Sequence, residues 1–211
     1  MVAKRRRADK KMNPIRLQFD KKDEKTIVYR GFVVMTAEER PYIEALIAPL
    51  QNLEINEVLE VGFGLGISAE TIQKTISPLK VHDIIEIETA IFDDLYVFSM
   101  RHGNANAIDG DVYTYKFNRT YDLIFFDSFD YSLSFVNQTE YDEIENTSET
   151  ERARQLLKRG GIYCHPYFGD MDMPEIRGFR LVRCGEVKVP PFLLWDGSEC
   201  AMGQIGYYIK F

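Results

Sequence analysis

The 211-residue chain has no long apolar run: its longest apolar stretches, such as Leu123-Ile124-Phe125-Phe126, are only a few residues long. A transmembrane helix needs about 20 consecutive apolar residues, so we predict no membrane partner. The basic start is not followed by an apolar stretch, and we therefore expect no secretory signal. With 45% hydrophobic and 28% charged residues, the composition is typical of a globular domain that can bury a core.

Cysteine and histidine are scarce, with three residues of each. The cysteines, Cys164, Cys184 and Cys200, are odd in number and widely spaced, which argues against a disulfide framework. This usage favours a reducing compartment, so we expect a cytoplasmic protein. The histidines show no metal-ligand spacing with the cysteines, and we predict no metal site.

Charge of one sign is concentrated at the start of the chain. Residues 1–25 carry ten Lys or Arg and four Asp or Glu, a net charge of +6, which leaves −13 for the remainder of the total of −7. The cluster Lys4-Arg5-Arg6-Arg7 is either an arm for an acidic partner or a mobile, solubilising tail. An acidic body disfavours nucleic acid as a partner and suits a cationic substrate.

We divide the chain into a basic, mobile leader over residues 1–25 and a single domain over residues 26–211. Alternating helices and apolar strands predict a Rossmann-like α/β domain with a doubly wound, mostly parallel sheet and an antiparallel C-terminal edge. Both a monomer and a homodimer remain open.

The expected elements follow from apolar periodicity and turn residues. An extended segment is expected at residues 26–35. Strands are then expected at 57–62, 81–87, 107–109, 121–127 and 162–165, and helices at 36–50, 66–76, 89–101 and 141–159. Gly160-Gly161 should end the last helix. Residues 181–189 and 205–211 should form the antiparallel edge, with Pro190-Pro191 between them.

The segment Glu60-Val61-Gly62-Phe63-Gly64-Leu65-Gly66 joins a strand to a helix. Its glycines let a ligand lie against the backbone, although a simple strand–helix turn is the alternative. A dinucleotide loop has the form G-x-G-x-x-G, so that a pyrophosphate reaches the helix N-terminus, whereas Ile67 follows the third glycine here. S-adenosylmethionine has no phosphate but carries an ammonium group, for which the acid Glu60 is apt.

The next strand ends Ile84-Ile85-Glu86-Ile87-Glu88, about twenty residues past the loop. A carboxylate at that place can accept both ribose hydroxyls of a cofactor, and we favour Glu86 over Glu88. Strand, loop, helix, strand and acid together resemble the class I methyltransferases, whose first motif is E/D-x-G-x-G-x-G. The resemblance implies an S-adenosylmethionine-dependent methyltransferase.

Three further segments narrow the class of possible substrates. They are Val34-Met35-Thr36-Ala37-Glu38-Glu39-Arg40-Pro41-Tyr42-Ile43, Phe126-Asp127-Ser128-Phe129-Asp130 and Val189-Pro190-Pro191. Over roughly residues 25–205, their order and spacing resemble the guanidinoacetate methyltransferase family and its relatives that methylate arginine. The family pattern reads V-M-x-x-W-E-x-P-Y-M, E-V-G-F-G-M, I-I-E, L-Y-D-x-Y and V-P-P.

This resemblance implies that Glu39 and Asp127 bind the substrate guanidinium, which paired carboxylates can hold bidentately and deprotonate. Glu39 could instead be only the capping-box glutamate of its helix, and Asp127 only the N-cap of a turn. The residues assigned to the cofactor are Met35, Ile43, Glu60, Gly62, Phe63, Gly64, Leu65, Gly66, Ile67, Glu86, Ile87, Gly110, Asp111 and Asp127.

Two departures from the family bear on the substrate. Glu38 replaces the tryptophan that precedes the glutamate, and Asp170 lies near the place of a Thr-Ser pair that contacts the substrate carboxylate. An acid there repels a carboxylate, so we expect an arginine-like metabolite or a peptide arginine rather than guanidinoacetate. His165, Gly169 and Asp170 are assigned to the substrate, with His165 either a donor or a packed polar residue. Alternatives are methylation of another amine or hydroxyl, and an idle cofactor-binding partner subunit.

Overall fold

The computed structural model describes residues 18–129, 149–170 and 172–211. In these ranges one large sheet consists of β4 (Glu57–Val61), β5 (Val81–Glu86), β6 (Ala105–Asp109), β7 (Tyr121–Phe126), β8 (Leu157–Cys164), β9 (Tyr167–Phe168), β10 (Phe179–Leu193) and β11 (Glu199–Lys210). The strands lie in the order β10-β11-β8-β7-β4-β5-β6, and β9 pairs with β11.

Strands β4 to β8 pair in parallel, and β10 and β11 add an antiparallel edge next to β8. The predicted fold class is therefore confirmed. From β4 the chain moves to β5 and β6 on one side and to β7 and β8 on the other. Ligands of such sheets bind at the carboxyl ends of the strands where this order reverses.

The helices are α1 (Arg40–Ile47), α2 (Ile67–Thr75), α3 (Thr89–Arg101) and the helical residues 149–156, here called α4. Among the described ranges, none of them is long and apolar enough to cross a membrane. Strand β7 is buried on both faces: Leu123 and Phe125 pack in a core with Leu46 of α1, and Ile124 and Phe126 in a core with Ala153 of α4. Burial on both faces explains why residues 123–126 of β7 are all apolar.

A small antiparallel sheet precedes the large one and consists of β1 (Lys21–Lys22), β2 (Thr26–Tyr29) and β3 (Phe32–Thr36). The extended segment expected at 26–35 is therefore a hairpin. Its turn is Arg30-Gly31, and both residues have positive φ, as a tight hairpin requires. Residues 18–25 of the expected leader are described in or beside this sheet, whereas residues 1–17 lie outside the described residues. The division at residue 25 stays a prediction.

The helix expected at 36–50 is wrong in its continuity. The chain forms a 3-10 turn at Ala37–Glu39, then α1, then a second 3-10 turn at Ala48–Asn52. Pro49 accounts for the second break, because it has no N–H to continue the hydrogen-bond ladder of α1. The other expected strands and helices before residue 128 agree with the structure to within two residues at each end.

Two expected boundaries in the C-terminal half are also wrong. Gly160-Gly161 does not end a helix but lies inside β8, at an irregularity in its pairing with β7, where Gly160 has φ +77. Pro190-Pro191 lies inside β10, at a register shift between Lys188 and Phe192, where the missing N–H groups are tolerated. The chain reverses later, around Gly197. Residues 141–148 of the last expected helix lie outside the described residues.

Candidate active site

The glycine loop begins directly after β4 and lies against the end of β7. The N–H of Gly62 donates to the carbonyl oxygen of Ile85 at 3.0 Å. Gly62 has φ +86, and a Cβ at this position would lie 2.2 Å from the carbonyl oxygen of Asp127. Only glycine allows the loop and the backbone of Asp127 to approach this closely. Gly62 and Asp127, which the sequence analysis assigns to the site from separate segments, are therefore adjacent.

Met35 of β3 lies against the same loop. Its Sδ accepts the N–H of Leu65 at 3.1 Å, and a Cβ at Gly64 would lie 2.4 Å from this sulfur. The small N-terminal sheet therefore contacts the loop through Met35. Phe63 and Ile67 are buried and belong to the cores beneath the loop, and Ile43 is buried with Met35 and Ile67 in the core below α1.

Glu60 is fully buried, and both of its carboxylate oxygens are hydrogen-bonded. Oε1 accepts the hydroxyl of Ser68 at 2.5 Å, and Oε2 lies 2.8 Å from Nε2 of His82. The other ring nitrogen of His82 lies 3.1 Å from Nε2 of Gln73. The acid thus connects β4, β5 and α2 beneath the loop. Its predicted contact with the cofactor ammonium stays a prediction.

Glu86 ends β5 and is hydrogen-bonded to the glycine loop. One carboxylate oxygen accepts the N–H of Phe63 at 2.9 Å, and the other accepts the N–H of Glu88 at 2.8 Å. Burial raises the pKa of Glu86, and these N–H donors oppose the rise. The carboxylate of Glu88 instead accepts the N–H of Ala90 at the start of α3. The choice of Glu86 over Glu88 is therefore consistent with these contacts.

The remaining residues assigned to the cofactor lie at the same sheet edge. Ile87 follows β5 and is 51% exposed. The N–H of Gly110 donates to the carbonyl oxygen of Glu86 at 3.0 Å, and Asp111 accepts the N–H of Tyr113 at 2.8 Å. The ends of β5 and β6 therefore hold Ile87, Gly110 and Asp111 near Glu86.

Glu39 lies at the start of α1 and is buried. One carboxylate oxygen accepts the N–H of Thr36 at 2.9 Å, so the predicted capping-box contact is present. Burial, and then the negative charge of Asp127, raise the pKa of Glu39 to about 8. The Thr36 N–H opposes this rise, and the neighbouring Glu38 adds to it. The capping contact leaves Glu39 close enough to Asp127 for their charges to interact.

Asp127 directly follows β7, and its N–H donates to the carbonyl oxygen of Val61 at 3.0 Å. Its charge raises the pKa values of Glu39, Tyr42 and Cys164, after the effect of burial in each case. The carboxylate is therefore on the side of the sheet that α1 covers. Two acids from distant parts of the sequence meet beside the glycine loop, in surroundings that disfavour two negative charges.

Glu38, which stands where the family has tryptophan, is exposed. Its carboxylate accepts the hydroxyl of Thr36, and this hydrogen bond is the largest effect that lowers its pKa. The negative charge of Glu38 therefore acts on Glu39 in addition to that of Asp127.

His165 follows β8, beside the end of β7. Its Nδ1 lies 2.9 Å from the carbonyl oxygen of Phe126, and burial lowers its pKa to about 4. Gly169 donates its N–H to Met202 at 2.9 Å, and Asp170 is exposed. The assignment of these three residues to the substrate stays a prediction.

Sequence reasoning missed the side chains that hold the site acids in place. Ser68 and His82 are hydrogen-bonded to Glu60 and fix its carboxylate. In the sequence, Ser68 and His82 are marked only by their inward-facing positions, which apolar packing residues also occupy.

Solved structures with a similar fold include methyltransferases and a cofactor-bound protein. N-methyltransferase NodS from Bradyrhizobium japonicum WM9, in complex with S-adenosyl-l-homocysteine, is 13% identical over 82% of this chain and 88% of that chain, with a TM-score of 0.55. Cofactor-bound Rv0187 from MTB is 15% identical over 83% and 81%, with a TM-score of 0.52. The putative methyltransferase yhhF from Escherichia coli is 13% identical over 83% and 87%, with a TM-score of 0.53. At these identities the likeness shows the fold, which is that of the class I methyltransferases.

A family model described as guanidinoacetate N-methyltransferase matches residues 3–171. The chain therefore belongs to the guanidinoacetate N-methyltransferase family. The predicted enzyme class, an S-adenosylmethionine-dependent methyltransferase, and the predicted cofactor are confirmed.

Proposed function

We propose that this chain transfers a methyl group from S-adenosylmethionine to a guanidino nitrogen of a small molecule or arginine-like substrate. Glu39 and Asp127 bind and deprotonate the guanidinium in this proposal. The observation that carries it is that the charge of Asp127, whose backbone lies against the glycine loop, acts on the buried carboxyl group of Glu39 and raises its pKa.

The acid pair suits a planar cation. A guanidinium has five N–H donors and no acceptor, so it is a poor nucleophile until a proton leaves. Asp127 and Glu39 can each accept N–H groups of this fork and fix one nitrogen toward the transferred methyl group. As the nitrogen takes the methyl group that bound S-adenosylmethionine would supply, leaving S-adenosylhomocysteine, Asp127 would accept the proton that the nitrogen loses.

The protonation of Glu39 matters for binding. With its pKa raised to about 8 by burial and by Asp127, Glu39 carries a proton near neutral pH in the free protein. A bound guanidinium offsets the negative charge of Glu39 and Asp127, which the proton on Glu39 reduces in the free protein. Binding of a cation should therefore release the proton from Glu39 and leave two carboxylates on the guanidinium.

The proposed cofactor site consists of the glycine loop and the residues that contact it. Met35, the segment 62–67 and Glu86 are the residues that would hold the cofactor, because they lie together at the carboxyl ends of β4 and β5, the edge at which ligands of this fold bind. The cofactor, when bound, supplies a methyl group activated by a positive sulfur. The chain then has to position the acceptor nitrogen and remove its proton.

The substrate class is testable with methyl-labelled cofactor and a panel of acceptors: arginine, guanidinoacetate, agmatine, a peptide with one arginine, and a simple amine and alcohol. We expect label on at least one guanidino compound, and more on agmatine or arginine than on guanidinoacetate. Glu44→Gln, an exposed acid on α1, should retain this activity. Label on the amine or alcohol alone would contradict the proposal.

A further inference from the structure

The carboxylate of Glu60 is enclosed beneath the glycine loop. Its side chain has no exposed surface, and neither has that of His82. Oε1 accepts the hydroxyl of Ser68 at 2.5 Å, and Oε2 accepts the Nε2–H of His82 at 2.8 Å. Both oxygens therefore have a donor from the chain itself, and no surface of the side chain is left for the ammonium group of a cofactor.

The hydrogen bond between Glu60 and Ser68 joins the two ends of the glycine loop. Glu60 lies in β4 just before the loop, and Ser68 lies in the first turn of α2 just after it. A ligand that has to order a loop loses affinity to the cost of ordering it, and a contact that fixes the loop beforehand reduces this cost. The bond is therefore placed to hold residues 61–67 in one conformation before a cofactor binds.

His82 holds the same carboxylate from the neighbouring strand. It pairs with Val58 of β4, so its side chain lies on the same face of the sheet as that of Glu60. Its Nδ1 lies 3.1 Å from Nε2 of Gln73 in α2, so both ring nitrogens have a partner. A fully buried strand position favours an apolar side chain unless a polar group there is hydrogen-bonded. We refer to Glu60, Ser68, His82 and Gln73 as the Glu60 network.

We propose that Glu60 sets the conformation of the glycine loop rather than binding the cofactor ammonium, and that His82 is a positioning residue that acts through Glu60. This inference rests on the part of the proposed function that assigns the cofactor to the loop, and it is independent of the substrate. Loss of a donor would leave an oxygen of Glu60 buried without a partner. The loop would then open to admit water to this oxygen.

Hydrogen exchange tests the network in the full-length protein without cofactor. In Ser68→Ala, peptides that cover residues 61–70 should exchange at least about fivefold faster than in the wild type, because a buried hydrogen bond that closes the loop is lost. Thr71→Val is the matched control, since the buried hydroxyl of Thr71 donates within α2, to the carbonyl oxygen of Ile67 at 2.8 Å. Its loop should exchange as in the wild type. Unchanged exchange in Ser68→Ala would overturn the inference.

Two substitutions of His82 separate positioning from packing. His82→Leu fills the buried place but has no N–H, whereas His82→Gln keeps an N–H for Glu60. We expect the affinity for S-adenosylhomocysteine to fall by about 10-fold in His82→Leu and by about threefold or less in His82→Gln. Affinity in His82→Leu equal to or higher than in His82→Gln would assign His82 to packing and overturn its positioning role. If His82→Leu does not fold, Ser68→Ala decides, because it removes a donor with a single oxygen atom.

Calorimetry on Ser68→Ala separates the two roles of Glu60. If Glu60 orders the loop, the affinity for S-adenosylhomocysteine should fall by about fivefold or more. Unchanged or higher affinity, as expected when an oxygen is freed for the cofactor ammonium, would overturn the inference. If Gly62→Ala binds S-adenosylhomocysteine as tightly as the wild type, the assignment of the cofactor to the loop fails in the proposed function. Hydrogen exchange of the cofactor-free protein then decides on the Glu60 network by itself.

Discussion

Two opposing influences determine the pKa of Glu39. The N–H of Thr36 stabilises its negative form, whereas burial and the negative charge of Asp127 destabilise it, and the pKa rises to about 8. The capping interpretation and the substrate interpretation of Glu39 are therefore compatible. One oxygen fixes the side chain at the start of α1, and the remaining oxygen is the one that a substrate would use.

The raised pKa predicts a pH dependence of substrate binding. Below pH 8 the proton on Glu39 competes with the guanidinium, and this proton is lost as the pH rises through the pKa of about 8. The KM for a guanidino substrate should fall by roughly 10-fold between pH 6.5 and pH 8 and level off above. Steady-state kinetics over this range measures it. A KM that is independent of pH, or that rises, would contradict the assignment of Glu39.

At the scale of elements, the conformation of the glycine loop depends on the backbone of Asp127, which lies against Gly62. Gly62→Ala would place a Cβ 2.2 Å from the carbonyl oxygen of Asp127, at a residue with φ +86. Loop and strand end must then shift, and we expect affinity for S-adenosylhomocysteine to fall by about 10-fold or more. Calorimetry measures the affinity.

Gly103→Ala is the matched control for this change. A Cβ at Gly103 would have no atom within 4 Å, and its φ lies outside the left-handed region. Its cofactor affinity should equal that of the wild type. If Gly62→Ala also binds with wild-type affinity, the loop is not the cofactor site.

Local signals in the sequence were sufficient for most elements but not for those shaped by distant contacts. Helix α3 has the predicted bounds because its N-cap and its apolar spacing are local. Gly160-Gly161 has the composition of a helix end, yet its conformation is decided by pairing of β8 with β7. The partners of Glu60 likewise come from β5 and α2, so no spacing around the loop could reveal that Ser68 and His82 hold its carboxylate.

At the scale of the whole molecule, the strand order brings the site together. Glu39 precedes the large sheet, the loop follows β4 and Asp127 follows β7, and the reversal of strand order at β4 places the last two side by side. Alternation of strands and helices predicted the parallel sheet, and the glycines between a strand and a helix predicted the cofactor site. The raised pKa of Glu39 could not be predicted, because it depends on burial by several elements.

The charge of the molecule agrees with a cationic substrate. Residues 26–211 carry the net negative charge, and the charges of Glu38 and Asp127 both act on Glu39. A field of this sign raises the local concentration of a cation and is weakened by salt.

The central claim is that the carboxylates of Glu39 and Asp127 bind and deprotonate the substrate. The most direct test compares Asp127→Asn with the wild type in two measurements, single-turnover methyl transfer to the guanidino substrate and calorimetric affinity for S-adenosylhomocysteine. We predict a loss of transfer rate of about 100-fold or more, as expected when a general base is removed, with cofactor affinity within about threefold of the wild-type value. A loss of cofactor affinity as large as the loss of rate would contradict the account.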